Sequence, residues 1–214
     1  MKESEVKWLL QVSDVAHTKR GEVLSTLFPD LQVQAGRAVC IQGKSGSGKG
    51  LLLKIAAGLI VPASGKVQVA DVAKAFVFSE MGLFHHNTAA ENLRVALLFT
   101  QNSEGIEERI QQALRRFDLL NIEHQVVNSL PEPPKKLLQY ARAEVLQPKL
   151  LFIQEPLKDI RADISPTVQK WLADFVTNGG GCVFSSLPDQ DWSFLRPEVV
   201  DLTGGSDTKK TMSR

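Results

Sequence analysis

AVCIQGKSGSGKGLLLKIAAG, residues 38–58, is the stretch whose reading decides the fold. An apolar run with strand character leads into a glycine-rich turn, and a buried helix then runs to about Gly58. Strand, glycine loop and helix in that order are the context in which G-x-x-x-x-G-K-[ST] marks a phosphate-binding loop. Gly43, Gly48 and Lys49 meet the pattern, and Gly50 breaks it. Glycines let successive backbone N–H groups turn inward to a phosphate, and the helix N-terminus adds partial positive charge. Lys49 would reach the outer phosphates as a point charge. The candidate nucleotide-binding set is therefore Gly43, Lys44, Ser45, Gly46, Ser47, Gly48, Lys49, Gly50 and Leu51. A plain turn joining strand to helix is the competing reading, and Lys49 in register argues against it. Gly50 offers no oxygen to magnesium, which in this motif also needs an acidic residue at the end of a second strand.

Outward from the loop, strand and helix patterns alternate. EVKWLLQVS (5–13) and LQVQAGRAVCIQ (31–42) have strand character, with turn signals at Pro29-Asp30 and Ala35-Gly36. GKVQVADVAKAFVFS supplies two further strands. Ile106, Ile110, Leu114 and Phe117 fall on one helical face, and a second helix runs through KKLLQYARAEVL. KLLFIQEP is the continuous apolar run that a central parallel strand needs. Ile164, Val168, Trp171, Leu172 and Phe175 mark another helix, followed by strands in GCVFSS and EVVDLTGG. The alternation predicts an α/β fold with a mainly parallel sheet.

The 214 residues suffice for one domain with a complete core, and 43% hydrophobic with 23% charged residues is an ordinary globular composition. A net charge of +1 gives no global reason to expect a nucleic-acid partner. The longest uncharged apolar stretch, IAAGLIVPASG, is short and broken by Pro62, so no membrane insertion is expected. Cys40 and Cys182 sit in apolar runs and read as core side chains rather than a disulfide or metal pair. His17, His85, His86 and His124 lack metal-site spacing, so no metal is assigned. A cytoplasmic location follows as an expectation, with any membrane role exerted through a partner.

The chain resembles the nucleotide-binding subunits of ABC transporters. GKSGSGKGLLLKIAAGLIVPASGKV is similar to that family's phosphate loop, first helix and following turn. FVFSEMGLFHHNTAAENL resembles the segment that couples the nucleotide site to a membrane subunit. SLPEPPKKLLQYARAEVLQPKLLFIQEP resembles the signature helix running into the Walker B strand. The similarity extends from about residue 6 to 205, with the blocks in the family's order. It implies a P-loop NTPase core of the ABC type, with a reduced antiparallel subdomain, since only ADVAKA stands where the family inserts a hairpin between Val69 and Phe76. It also implies one domain over 1–205, a helical subdomain at about 80–146, and a polar tail at 206–214.

Measured against that resemblance, the chemistry is depleted. Walker B ends in Gln154-Glu155, so both protein ligands for magnesium are missing, although Glu155 keeps the place of a vestigial general base. The coupling-loop glutamine is Ser79, the histidine after the CVFSS strand is Leu187, and the adenine-stacking aromatic aligns with Ala16 beside His17. The aspartate loop carries Arg161. The LSGGQ signature becomes Leu130-Pro131-Glu132-Pro133-Pro134, where three prolines remove backbone donors and Glu132 places a negative charge against a polyanion. Such losses imply thousands-fold slower hydrolysis or worse, on the order of several kcal/mol for the metal alone. Weak, metal-independent ATP binding is what the surviving loop permits, and magnesium has no evident ligands.

The resemblance implies dimerisation, a membrane permease partner and an intact ABC ATPase partner, with Met81, Leu83 and Phe84 where a membrane subunit docks. The leading expectation is a catalytically impaired or inactive domain serving a transport complex as a structural or regulatory subunit. Two alternatives stand beside it. One is a soluble adaptor that kept the fold, and the other an ATPase that places magnesium through Ser45, Ser47 or Glu155.

Overall fold

The computed structural model describes residues 8–18, 25–79, 82–98, 100, 104–158 and 160–202. In chain order its strands are β1 (Trp8–Thr18), β2 (Ser25–Leu27), β3 (Leu31–Gln34), β4 (Ala38–Gln42), β5 (Ser64–Val69), β6 (Lys74–Val77), β7 (Leu150–Gln154), β8 (Gly181–Ser186) and β9 (Glu198–Asp201). The α-helices are α1 (Lys49–Ala56), α2 (Ala89–Leu97), α3 (Ile106–Arg116), α4 (Glu132–Glu144) and α5 (Ser165–Thr177).

Apolar side chains alternate between two layers because successive Cβ atoms leave a strand on opposite faces. From β4 and β7, Val39, Ile41, Leu150 and Phe152 join α1 and the antiparallel sheet. Their neighbours Cys40, Leu151 and Ile153 join α2 through α5 on the other face. Covered on both faces, these strands read as unbroken apolar runs. The central sheet has the order β6-β7-β8-β4-β9, every pairing parallel. This is the mixed α/β architecture the alternating pattern implies.

The second sheet is antiparallel, with β1 paired to β2, β3 and β5. The stretch 31–42 thus divides between two sheets, turning at Gly36 with φ of +71°. β1 runs further than the apolar pattern suggests, through Ala16 and His17, because Asp14 at φ +52° absorbs a bulge. Opposite that bulge the backbone approaches so closely that a Cβ at Gly65 would strike Asp14 and Val15. β2 is only three residues long and carries no pattern readable in advance. Residues 70–73 alone connect β5 to β6, with no hairpin between them.

Helices α2, α3 and α4 lie on one face of the sheet, with Trp171 of α5 packed edge-on against Phe117 and Tyr140. Residues 80, 81 and 203–214 lie outside the described residues, so the polar tail expected at 206–214 does too.

Candidate nucleotide-binding site

β4 delivers the chain into the glycine loop, and α1 opens at Lys49 with Gly48 as N-cap at φ +92°. No side chain caps α1, and its first bond back into the loop runs from the Leu52 N–H to the Gly48 carbonyl at 2.9 Å. The preceding helical N–H groups are left for an outside acceptor, which is how a helix start holds an anion. Lys49 is buried, and its amine donates to the Lys44 carbonyl at 2.8 Å. Its charge is thus held inside the loop. Lys44, Ser45 and Gly46 form the exposed rim. Ser47 Oγ lies buried without a hydrogen-bond partner among the described residues, against Gly43, where a Cβ would run into it. The residues from Gly43 to Leu51 converge as one cradle whose unspent donors fit phosphate.

Magnesium fits less well. A Cβ added at Gly50 would stand 3.4 Å from Gln154 Nε2, so the two positions expected to ligate the metal are neighbours in space. One has no side chain, and the other presents an amide rather than a carboxylate. A hard divalent cation needs oxygen ligands, preferably charged ones. At these two positions the side-chain oxygen is the uncharged one of the Gln154 amide. Among the described residues no three His, Cys, Asp or Glu side chains gather into a metal site.

Glu155 follows β7 at φ +50°, a conformation that costs a non-glycine residue of order 1 kcal/mol or more. Its N–H donates to Ser185 Oγ at 3.1 Å, and its carboxylate lies 3.7 Å from Lys158 Nζ. Ser45, Ser47 and Glu155 are not joined by any hydrogen bond that would preform an alternative metal site among the described residues. Leu187, just past β8, is 37% exposed and brings no polar group to the site. Ala16 is buried within the antiparallel sheet, paired with Leu27. It offers no aromatic face.

Residues 29–158, more than half of the chain, match the family described as ABC transporter. This chain belongs to that family. Among curated relatives, the sulfate/thiosulfate import ATP-binding protein CysA of Vibrio cholerae is 30% identical over 191 residues, covering 82% of this chain and 51% of the relative. The Fe(3+) ions import ATP-binding protein FbpC of Mannheimia succiniciproducens is 32% identical over 198 residues, covering 86% of this chain and 56% of the relative. The chain spans about half the length of the curated relatives it matches. Among solved structures, a dimeric ATP-binding cassette in a post-hydrolysis state with ADP and Pi has a TM-score of 0.79 at 19% identity, covering 96% of this chain and 100% of that one. That likeness is one of fold.

Within the ABC framework, the signature position starts a helix. Pro131 is the N-cap of α4, and Pro133 and Pro134 occupy its first turn. Prolines are tolerated there because first-turn N–H groups have no helical acceptor. The three prolines leave Glu132 as the one residue from 131 to 134 with a backbone N–H to offer a phosphate. The Glu132 side chain is 88% exposed, paired at 3.2 Å with Lys135. Arg161 pairs with Asp163 at 3.1 Å on the surface.

The segment that resembles the family's coupling segment is anchored by a residue whose part its sequence did not announce. Asn92 is fully buried, accepts from the Phe84 N–H at 2.7 Å, and donates to the carbonyls of Phe84 and Thr88. The signal was an asparagine facing the core of an apolar helix. Phe84 is 47% exposed, whereas Leu83 packs partly against the helical core. Met81 lies outside the described residues. Lys136 of α4 donates to the Ser79 carbonyl at 2.6 Å, tying the signature helix to the coupling segment. No helix among the described residues is long and apolar enough to cross a membrane.

Proposed function

We propose that this chain is a catalytically silent ABC-type nucleotide-binding domain, acting as a structural or regulatory subunit of a membrane transport complex. The observation that carries the reading is the juxtaposition of Gly50 and Gln154, 3.4 Å from prospective Cβ to amide nitrogen. Both positions expected to ligate magnesium meet there, and between them they offer one uncharged amide in place of a hydroxyl and a carboxylate. Glu155, aligned with the general base, then faces no ordered metal or phosphoryl group. The phosphate cradle keeps Lys49 and the α1 N-terminus, which supports weak, metal-independent ATP binding. The relatives named above are import ATP-binding proteins, and that kinship supports placing this chain at the inner face of a membrane, on a permease or beside a competent ATPase subunit. Phe84 and the neighbouring Met81 and Leu83 positions are the proposed docking element.

A steady-state ATPase assay with magnesium, run on the wild type and Lys49→Ala, tests the catalytic half. The expected outcome is no turnover above the variant's background. Magnesium-dependent turnover abolished by Lys49→Ala would sink the proposal and favour an ATPase with unusual metal ligation.

A further inference from the structure

Along the free edge of β6, a groove of about 290 Å³ opens between that strand and helices α2 and α4. Phe76, Val95 and Leu146 give it apolar walls. Among the described residues two cations, Lys74 and Arg142, line it, and no carboxylate does.

Arg142 is the telling member. Its guanidinium carbon lies 5.4 Å from the centroid of the Phe84 ring, and among the described residues it has no ion-pair or hydrogen-bond partner. Burial holds it below the ordinary arginine range. A half-buried guanidinium with five donors to offer is well placed to take an anion, its strongest acceptor. Three residues earlier on α4, Gln139 Oε1 is buried without a partner and lines the same groove. The ring over Arg142 is held in place, because Asn92 pins the Phe84 backbone through both its N–H and its carbonyl. Gly82, at φ +131°, lines the same groove, and a Cβ there would make ordinary contact with Arg142 and Phe78 at 3.8 Å.

We infer that this groove receives a segment of a partner protein that places a carboxylate on Arg142 and an apolar side chain against Phe84. The inference rests on the docking role proposed above and specifies its chemistry. A purely apolar segment would bury the guanidinium unpaired. A carboxylate accepts two parallel N–H bonds from it, and a polar N–H on the same segment can satisfy Gln139. Arginine and aromatic side chains are the residue types that concentrate binding energy at interfaces.

The test uses the full chain panned against a displayed library of random peptides, each about 15 residues long, enough for roughly four helical turns. Recovered peptides are then measured on wild type, Phe84→Ala, Arg142→Gln, Arg142→Lys and the distant control Lys170→Gln. Expected are peptides carrying Asp or Glu among apolar residues, weakened about tenfold or more by Arg142→Gln and by Phe84→Ala. Arg142→Lys should keep part of the affinity, and Lys170→Gln all of it. Circular dichroism and thermal midpoints check that each variant folds. Peptides sensitive to Phe84→Ala but indifferent to Arg142→Gln would overturn the acidic assignment while leaving the docking face standing. If no peptide responds to Phe84→Ala, the docking role fails and the inference with it. Arg142-dependent binding to vesicles containing anionic phospholipid, without peptide binding, would overturn it in favour of a lipid surface.

Discussion

Under the proposed function, the neighbouring positions Gly50 and Gln154 are what separates this loop from one that holds a divalent cation. Replacing both residues, as Gly50→Ser with Gln154→Asp, supplies a hydroxyl and a carboxylate on adjoining positions. The expected result is nucleotide binding that becomes magnesium-dependent and tightens about tenfold, whereas wild-type binding is the same with and without the metal. Titration of a fluorescent nucleotide with magnesium or chelator reads the difference. Hydrolysis should stay at background, because Leu187 and the prolines of α4 remain. Cys40 and Cys182 make a second case. They are free thiols on adjoining strands, and burial pushes Cys40 up to about 12 from an ordinary 9.0 and raises Cys182 as well. Both should resist alkylation in the folded chain, followed by mass spectrometry. The sign for stability is alkaline. Keeping both thiols neutral stabilises the fold fully below 9.0, and that contribution is lost as pH climbs towards 12.

At the scale of elements, α2 carries its own start signal. Thr88 accepts from the Glu91 N–H at 3.2 Å, and Glu91 accepts from the Thr88 N–H at 2.7 Å. Removing the cap with Thr88→Ala should cost about 1 kcal/mol in chemical denaturation. The Thr88 backbone N–H, and then its hydroxyl, holds the Glu91 carboxyl below the ordinary 4.5. That contribution is present above 4.5 and is lost as pH falls through the lower folded value, so acid unfolding of wild type should be steeper than that of Glu91→Gln. The parallel strands and the amphipathic helices were legible in the sequence because each obeys one period over several residues. β7 runs apolar from Leu150 to Ile153 and β8 from Cys182 to Phe184, and Ile110 and Leu114 sit one helical turn apart. β2 was not legible, since three residues carry no period, and the extension of β1 depends on a bulge at Asp14. The order of strand, glycine loop and helix could be read because its pattern is local. The contact of Gly50 with Gln154, the pinning of Phe84 by Asn92 and the unpartnered Arg142 join residues far apart in the chain, and only the folded arrangement brings them together.

At the scale of the whole molecule, the proposed function makes the start of α4 the place where association should fail. Head-to-tail closure would bring Glu132 and a helix start with few remaining donors onto a nucleotide. Saturating ATP should therefore leave the sedimentation coefficient of the purified chain unchanged. An ATP-induced shift from monomer to dimer, lost in Lys49→Ala, would contradict this. The Lys136 bond to the Ser79 carbonyl couples α4 to the coupling segment, so the groove beside it should hold one shape whether or not nucleotide is added. The abutment of Gly50 and Gln154 also bears on descent. A serine restored alone at 50 would face an amide, and an aspartate restored alone at 154 would face an empty backbone. On the proposed reading neither single change rebuilds a metal-binding pair, so the path back to metal binding crosses a step with no gain. Two silent positions that touch each other act as a ratchet.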